Sequence, residues 1–339
     1  MEGKRINLTS GEIGSLWTAY MNESMTKQVM AFVLQHIEDT DIKPVVQASY
    51  QMSINQVERL LGIFEKEDFA VPDGFTEQDV NMQAPWLFSD VFCLIYVNHM
   101  TKVGMVFYSG IVAMIDREDI RNHFTQALTE ASSLYNQSKD VMLSKGVNSR
   151  PPSIEVPKKS DYIDQKDYFS GLKPFSNKRP LNAIEISYLY GNVLTNELGS
   201  KLSMAFAQTS PSKEVQEFMI RAKEISEKHI QIFTDTLMQE DIFTPQAPDV
   251  SVSESTTQTF SDKMMMFHIN LLEAAGIGNY TTAGAASQRS DLMVNYERLS
   301  LEVARLAKSG ADIMIKNNWL EKPPTPKDRE KLIKQKHDE

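Results

Sequence analysis

The chain carries six histidines, His36, His99, His123, His229, His268 and His337, and they are its best candidates for chemistry. In a helical protein an acid three residues before a histidine puts carboxylate and imidazole on one face. Two such pairs plus two further glutamates hold a di-iron or di-manganese centre. The residues at that spacing are Val33, Tyr96, Ile120, Ser226, Met265 and Lys334, and none is acidic. A smaller site survives this test. His229 falls in an apolar seam one turn from Ile225, His268 sits among Met264, Met265, Leu271 and Leu272, and Glu302 flanks the seam of the last long helix. His229, His268 and Glu302 could then hold one transition-metal ion or line a polar pocket. The competing reading is two core histidines, each hydrogen-bonded to a neighbour.

Other chemical signatures are missing. No glycine-rich phosphate loop follows a strand, and there is neither a Cys-x-x-Cys pair nor a Gly-x-Ser-x-Gly elbow. The methionine run Met264 to Met266 reads as adaptable core. The single cysteine, Cys93, lies in an apolar run and excludes an intramolecular disulfide, which suits a reducing compartment. No catalytic residue and no cofactor is expected, with a transition metal as the alternative.

The elements that must position these histidines are written twice. Leu8-Thr9 with Glu12-Ile13 and Leu16 recurs as Leu181-Asn182 with Glu185-Ile186 and Leu189, an offset of 181 − 8 = 173. Glu67-Asp68 with Pro72 recurs as Glu240-Asp241 with Pro245. From Phe88-Ser89-Asp90 and Phe260-Ser261-Asp262 onward the offset is 260 − 88 = 172, and it holds for Asn98/Asn270, Gly104/Gly276, Tyr108/Tyr280, Arg117/Arg289, Asp119/Asp291, Glu130/Glu302 and Asp140/Asp312. A repeat this long is a duplicated domain. His229 aligns with Gln56 and His268 with Tyr96, so a histidine site belongs to the second copy alone.

Both copies read as helical. Thr9 and Asn182 are N-caps with Glu12 and Glu185 completing capping boxes, which explains those glutamates structurally. A second helix spans about 41–67 and 211–241, with Ser210 and Pro211 as its cap and first residue in the second copy. Its seam there is Val215, Phe218, Ala222, Ile225, His229 and Ile232. A Pro-rich polar loop follows, and a third helix opens at Ser89 and Ser261 and breaks or kinks near Gly104 and Gly276. The glycines at 276, 278 and 284 are expected to permit close helix packing. The last helix carries the seam Leu292, Tyr296, Leu299, Val303, Leu306 and Ile313. It stops at Gly146 and Asn318, which tolerate a left-handed backbone. The organisation predicted is 1–147 first bundle, 148–180 linker, 181–326 second bundle and 327–339 charged tail. The linker aromatics Tyr162, Tyr168, Phe169 and Phe175 are expected to pack across the domains.

A net charge of −10 argues against nucleic acid or an anionic membrane as partner. Residues 1–7 contain no apolar run of the signal-peptide kind. Residues 91–115 are apolar enough to test as a membrane span. The aligned stretch in the second copy contains Lys263, Glu273 and several glycines and threonines, so a helix buried on all sides in a bundle is expected instead.

The runs Phe260 to His268, Ala275 to Tyr280, Arg289 to Tyr296 and Ile313 to Pro324, with Phe88 to Asp90, Asn98 to Gly104 and Arg150 to Pro152, resemble an uncharacterised family. It is domain of unknown function 3231, found mainly in spore-forming Bacilli. The resemblance covers nearly the whole chain. It implies two tandem ferritin-like up-down four-helix bundles, an all-α fold with room for a short extra helix in each. It also implies, loosely, an association with sporulation or the spore coat, and it brings no catalytic residues. First halves of the family carry a histidine at the position of Gln56. The function expected is a non-catalytic tandem bundle, cytoplasmic or spore-associated, that binds a protein partner or itself. The alternative is a metal- or small-ligand-binding protein with its site inside the second bundle.

Overall fold

The computed structural model describes residues 6–172, 178–244 and 251–335. Met1 to Arg5, Phe175, Pro245 and His337 therefore lie outside the described residues. Helices α1 (Ser10–His36), α2 (Lys43–Glu67), α3 (Asp90–Val112) and α4 (Glu118–Ser144) form the first half, and α5 (Ala183–Thr209), α6 (Lys213–Met238), α7 (Asp262–Ala286) and α8 (Ser290–Lys316) the second. A short α9 (Arg329–Gln335) lies in the charged tail. In each half two helical hairpins, α1 with α2 and α3 with α4, or α5 with α6 and α7 with α8, come together as a four-helix bundle. The fold is all-α, two four-helix bundles in tandem.

The helix ends follow from local chemistry. Thr9 and Asn182 close capping boxes with Glu12 and Glu185. Ser89 and Ser261 accept from the amides of Phe92 and Met264. Helix α6 differs from expectation: its cap is Ser212, whose hydroxyl accepts from Val215 N–H, while Ser210 turns away to donate to Asp262 at 2.6 Å. Gly146 and Asn318 are left-handed at φ 67° and 55°, and so are Asp68 and Asp241 at 53° and 55°, just past α2 and α6. Helices α3 and α7 run through Gly104 and Gly276 without a break, because glycine keeps its N–H and its helical hydrogen bond.

The residues that mark the repeat are those that tie the hairpins together. Arg117 pairs with Glu67 at 2.8 Å and Asp119 at 2.8 Å, and its amide donates to Glu12 at 2.9 Å. Arg289 pairs with Glu240 at 2.7 Å and Asp291 at 2.9 Å, and its amide donates to Glu185 at 2.9 Å. Glu12 and Glu185 thus cap their own helices and also hold the start of the last helix of the same bundle.

The halves share a core. Leu16, Leu60, Phe64 and Phe124 cluster within the first bundle, and Leu189, Phe233, Tyr296 and Leu299 within the second. The largest cluster runs through both, from Met25, Phe32 and Phe92 to Phe206, Phe260 and Met265. Above it the loops after α2 and α6 pair as antiparallel β-bridges, Val80 with Phe260 and Phe88 with Val252. Exchanging the two copies turns one bridge into the other. Asn81 N–H donates to Thr259 O and Ser253 N–H to Leu87 O, at 2.8 and 2.9 Å, with Ser261 to Asp79 and Ser89 to Ser251 at 2.8 and 3.1 Å.

Two further expectations are corrected. Helix α3 is the described helix whose length and composition would let it cross a membrane, but only 44 % of its apolar stretch is buried, with Val106, Ser109 and Gly110 exposed. It is therefore not buried on all sides. Among the described linker aromatics Tyr162 stands in solvent, Phe169 is half-exposed, and Tyr168 docks, with Arg179 of the linker 4.1 Å over its ring and its hydroxyl donating to Gln288 of the second half.

Arg289 is almost fully buried, and its loss takes the guanidinium from Glu240, which is left without that partner, and from Asp291, which keeps Lys178. Arg289→Met should lower unfolding stability by about 3 kcal/mol. A urea midpoint within error of the parent would show that the clasp contributes nothing.

Candidate functional site

The seam of α6 turns His229 fully inward. Its Nδ1 lies 2.9 Å from the Tyr280 hydroxyl and its Nε2 3.2 Å from Glu302 Oε2. Burial raises the Glu302 pKa, but hydrogen bonds from Lys228 and His229 outweigh it and hold the carboxyl below its ordinary value. An ionised carboxylate only accepts, so Nε2 carries the proton and Nδ1 accepts from Tyr280. Tyr280 in turn accepts from the Asn196 amide at 2.8 Å. Burial lowers the His229 pKa and Glu302 offsets only part of that, so the ring is neutral.

The first bundle has the same bracket in other residues. Gln56, Glu130, Tyr108 and Glu23 occupy the repeat positions of His229, Glu302, Tyr280 and Asn196. Gln56 donates to Glu130 at 2.9 Å, Arg59 clamps Glu130 with two bonds, and Tyr108 donates to Glu23. Burial pushes the Glu23 pKa up to about 7 even though the Tyr108 bond lowers it.

His268 belongs to a different place. Its Nε2 lies 2.9 Å from the Tyr96 hydroxyl, and these two residues occupy one repeat position, so they meet where the halves meet. Burial pushes His268 down to about 3 and raises Tyr96, which makes this a bond between neutral groups. The three sequence candidates therefore split: His229 and Glu302 come together, and His268 joins Tyr96. Among the described residues no group of three or more His, Cys, Asp and Glu side chains is arranged to hold a metal ion.

A further open feature was not expected from sequence. A cleft of about 680 Å³ lies between the bundles, walled by α1 to α4 on one side and α5 and α7 on the other. Met52, Met100, Phe107, Leu134 and Leu271 supply apolar surface, and the Glu23–Tyr108 pair faces it. Gly191 and Gly278 line it with nothing within 4 Å of where a Cβ would stand. Gly278 therefore leaves space instead of permitting close packing, whereas Gly284, with Tyr296 Cβ 3.3 Å from that point, does pack closely.

A second cavity of about 470 Å³ adjoins the first and shares Lys102, Ser187 and Gly191 with it. His99, Lys139, Glu197 and Lys201 line it. Burial moves His99 down to about 3 and Glu197 up to about 7, and it lowers Lys102 and Lys139. Cavities of this size at a domain interface, largely apolar with a few displaced titrating groups, are the usual form of a small-molecule site. The sequence held one trace of it: Lys102 in the middle of an apolar helix.

Glu23 gives the cleft a pH signature. Its folded pKa lies above the ordinary value, so the folded state holds the proton more tightly. The stability this provides is present below about pH 4.5 and is lost as pH rises to about 7. Between pH 5 and pH 8 the parent should lose ~2.5 kcal/mol that Glu23→Gln does not lose. Parallel urea curves for the two proteins at both pH values would contradict the assignment.

A candidate spore coat protein from Bacillus halodurans C-125, of known structure, is 19 % identical over 46 % of this chain and 98 % of its own, with a TM-score of 0.38. No curated protein matches the chain. The model of a family described as protein of unknown function (DUF3231) matches residues 1–159 and again 169–332. With both halves matched in tandem, the chain belongs to the DUF3231 family.

Proposed function

We propose that the protein is a non-catalytic binding protein, built on a ferritin-like pair of bundles, that holds a small, largely apolar molecule in the cleft between them. The carrying observation is the space itself: about 680 Å³ of mostly apolar surface bounded by helices of both halves. Such a space favours a small molecule over the protein partner expected from sequence. The bracket groups of each bundle, Gln56 with Glu130 and Tyr108 with Glu23 in the first and His229 with Tyr280 and Glu302 in the second, are bonded to one another, which suits a scaffold better than a reaction centre. In this reading residues 1–147 and 181–326 are the two walls, 148–180 the link and 327–339 an accessory tail. A cytoplasmic, sporulation-associated setting belongs to the proposal through the family resemblance alone and requires expression to rise during sporulation.

Nile red, a neutral apolar dye, tests the site. One equivalent should bind saturably with enhanced, blue-shifted emission. Gly191→Leu puts a side chain into the open space and replaces a helical glycine by a better helix former. It should keep the helical circular dichroism and weaken dye binding at least tenfold. Undiminished binding in that variant, or no saturable binding to the parent, would overturn the proposal.

A further inference from the structure

Lys102 stands on α3 where the two cavities meet, and it lines both. It forms neither an ion pair nor a hydrogen bond among the described residues. Its nearest charged influence is another cation, Lys139. Lys139 donates to the Asn148 side chain at 2.8 Å and has no carboxylate partner there either. The acids around the second cavity do not compensate. Glu227 is taken by Lys223 at 2.8 Å, and burial favours the neutral form of Glu197. A partly buried ammonium without a counter-charge is costly, and a bound anion would relieve that cost.

The surface beside Lys102 is mostly apolar. Met100, Val103 and Phe107 continue along α3, with Met52 and Leu134 opposite. Tyr108, six residues beyond Lys102 and about 9 Å along the helix axis, also lines the cleft together with its partner Glu23. The arrangement is one cation beside a largely apolar wall.

We propose that the cleft binds a long-chain carboxylic acid, with its carboxylate on the Lys102 ammonium and its chain along Met52, Met100, Val103, Phe107 and Leu134. Among the described residues that line the cleft Lys102 is the one cation, which suits a singly charged head. This inference rests on the cleft being a binding site and adds the class of molecule.

The test is displacement of Nile red from the full chain by palmitate, hexadecan-1-ol and hexadecyl phosphate, each below its aggregation limit. Palmitate should displace the dye at least tenfold more tightly than the alcohol and more tightly than the phosphate. Lys102→Met should erase the preference for acid over alcohol while still binding the alcohol, and Lys102→Arg should retain it. Circular dichroism and alcohol binding report whether each variant is folded, and the Arg variant decides if the Met variant is not. Equal binding of acid and alcohol by the parent, a preference that survives in a folded Lys102→Met, or loss of the preference in a folded Lys102→Arg overturns the inference. So does tighter binding of the phosphate. Dye that binds but is not displaced by palmitate overturns the acid class and leaves the cleft reading standing. No dye binding to the parent removes both.

Discussion

Tyr96 and His268 occupy the same position of the repeat, and they hydrogen-bond to each other between the halves. The loop contacts above them obey the same exchange, with 80 against 260 and 88 against 252. The two bundles therefore meet as a symmetric dimer would, each presenting the same patch, although both patches belong to one chain. Burial permits this contact because neither group is charged. The tyrosine keeps its proton, the imidazole stays neutral, and each satisfies the other. The cleft follows from this meeting point. Further along α3 and α7 the lining residues include Gly104, Ala274, Ala275 and Gly278, which are too small to fill the space between the halves.

Duplication has kept one set of interactions and released another. The arginine clasps are equivalent residue for residue in their partners: Arg117 with Glu67, Asp119 and Glu12, and Arg289 with Glu240, Asp291 and Glu185. The inward brackets share positions but not chemistry, since Gln56 and Glu23 stand where the second bundle has His229 and Asn196. A similar divergence separates Asn98, which donates to Ser138 at 2.9 Å, from Asn270, which faces Gly310 and has a side-chain oxygen without a partner. Interior hydrogen bonds can be rebuilt from several residue types. A buried guanidinium that spans two carboxylates cannot.

The sequence made the helices, the capping boxes and the left-handed stops at Gly146 and Asn318 legible, because each depends on a few neighbouring residues. The inward seams of α6 and α8 were legible for the same reason, through period 3.6. The cap at Ser212 was missed because Ser210 and Pro211 offer a competing local signal, and only the bond from Ser210 to Asp262 decides between them. The cleft was not legible. It lies between copies, and aligning one copy on the other carries no information about how they face each other. Lys102 could be seen as a cation in an apolar helix, but not as one left without a partner where two cavities meet. His268 looks from sequence like a companion of His229 for a related reason: nothing local shows that its ring meets the tyrosine at its own repeat position.

The central claim is that the loops after α2 and α6 lock the halves into one symmetric body and so fix the cleft. Hydrogen–deuterium exchange resolved to single amides at Asn81, Ser89, Ser253 and Ser261 tests it most directly, because each of these donates to the opposite half. The account expects all four to be protected, with similar opening free energies, although they lie in loops. Exchange of any symmetric pair at the rate of a free, exposed loop would contradict it.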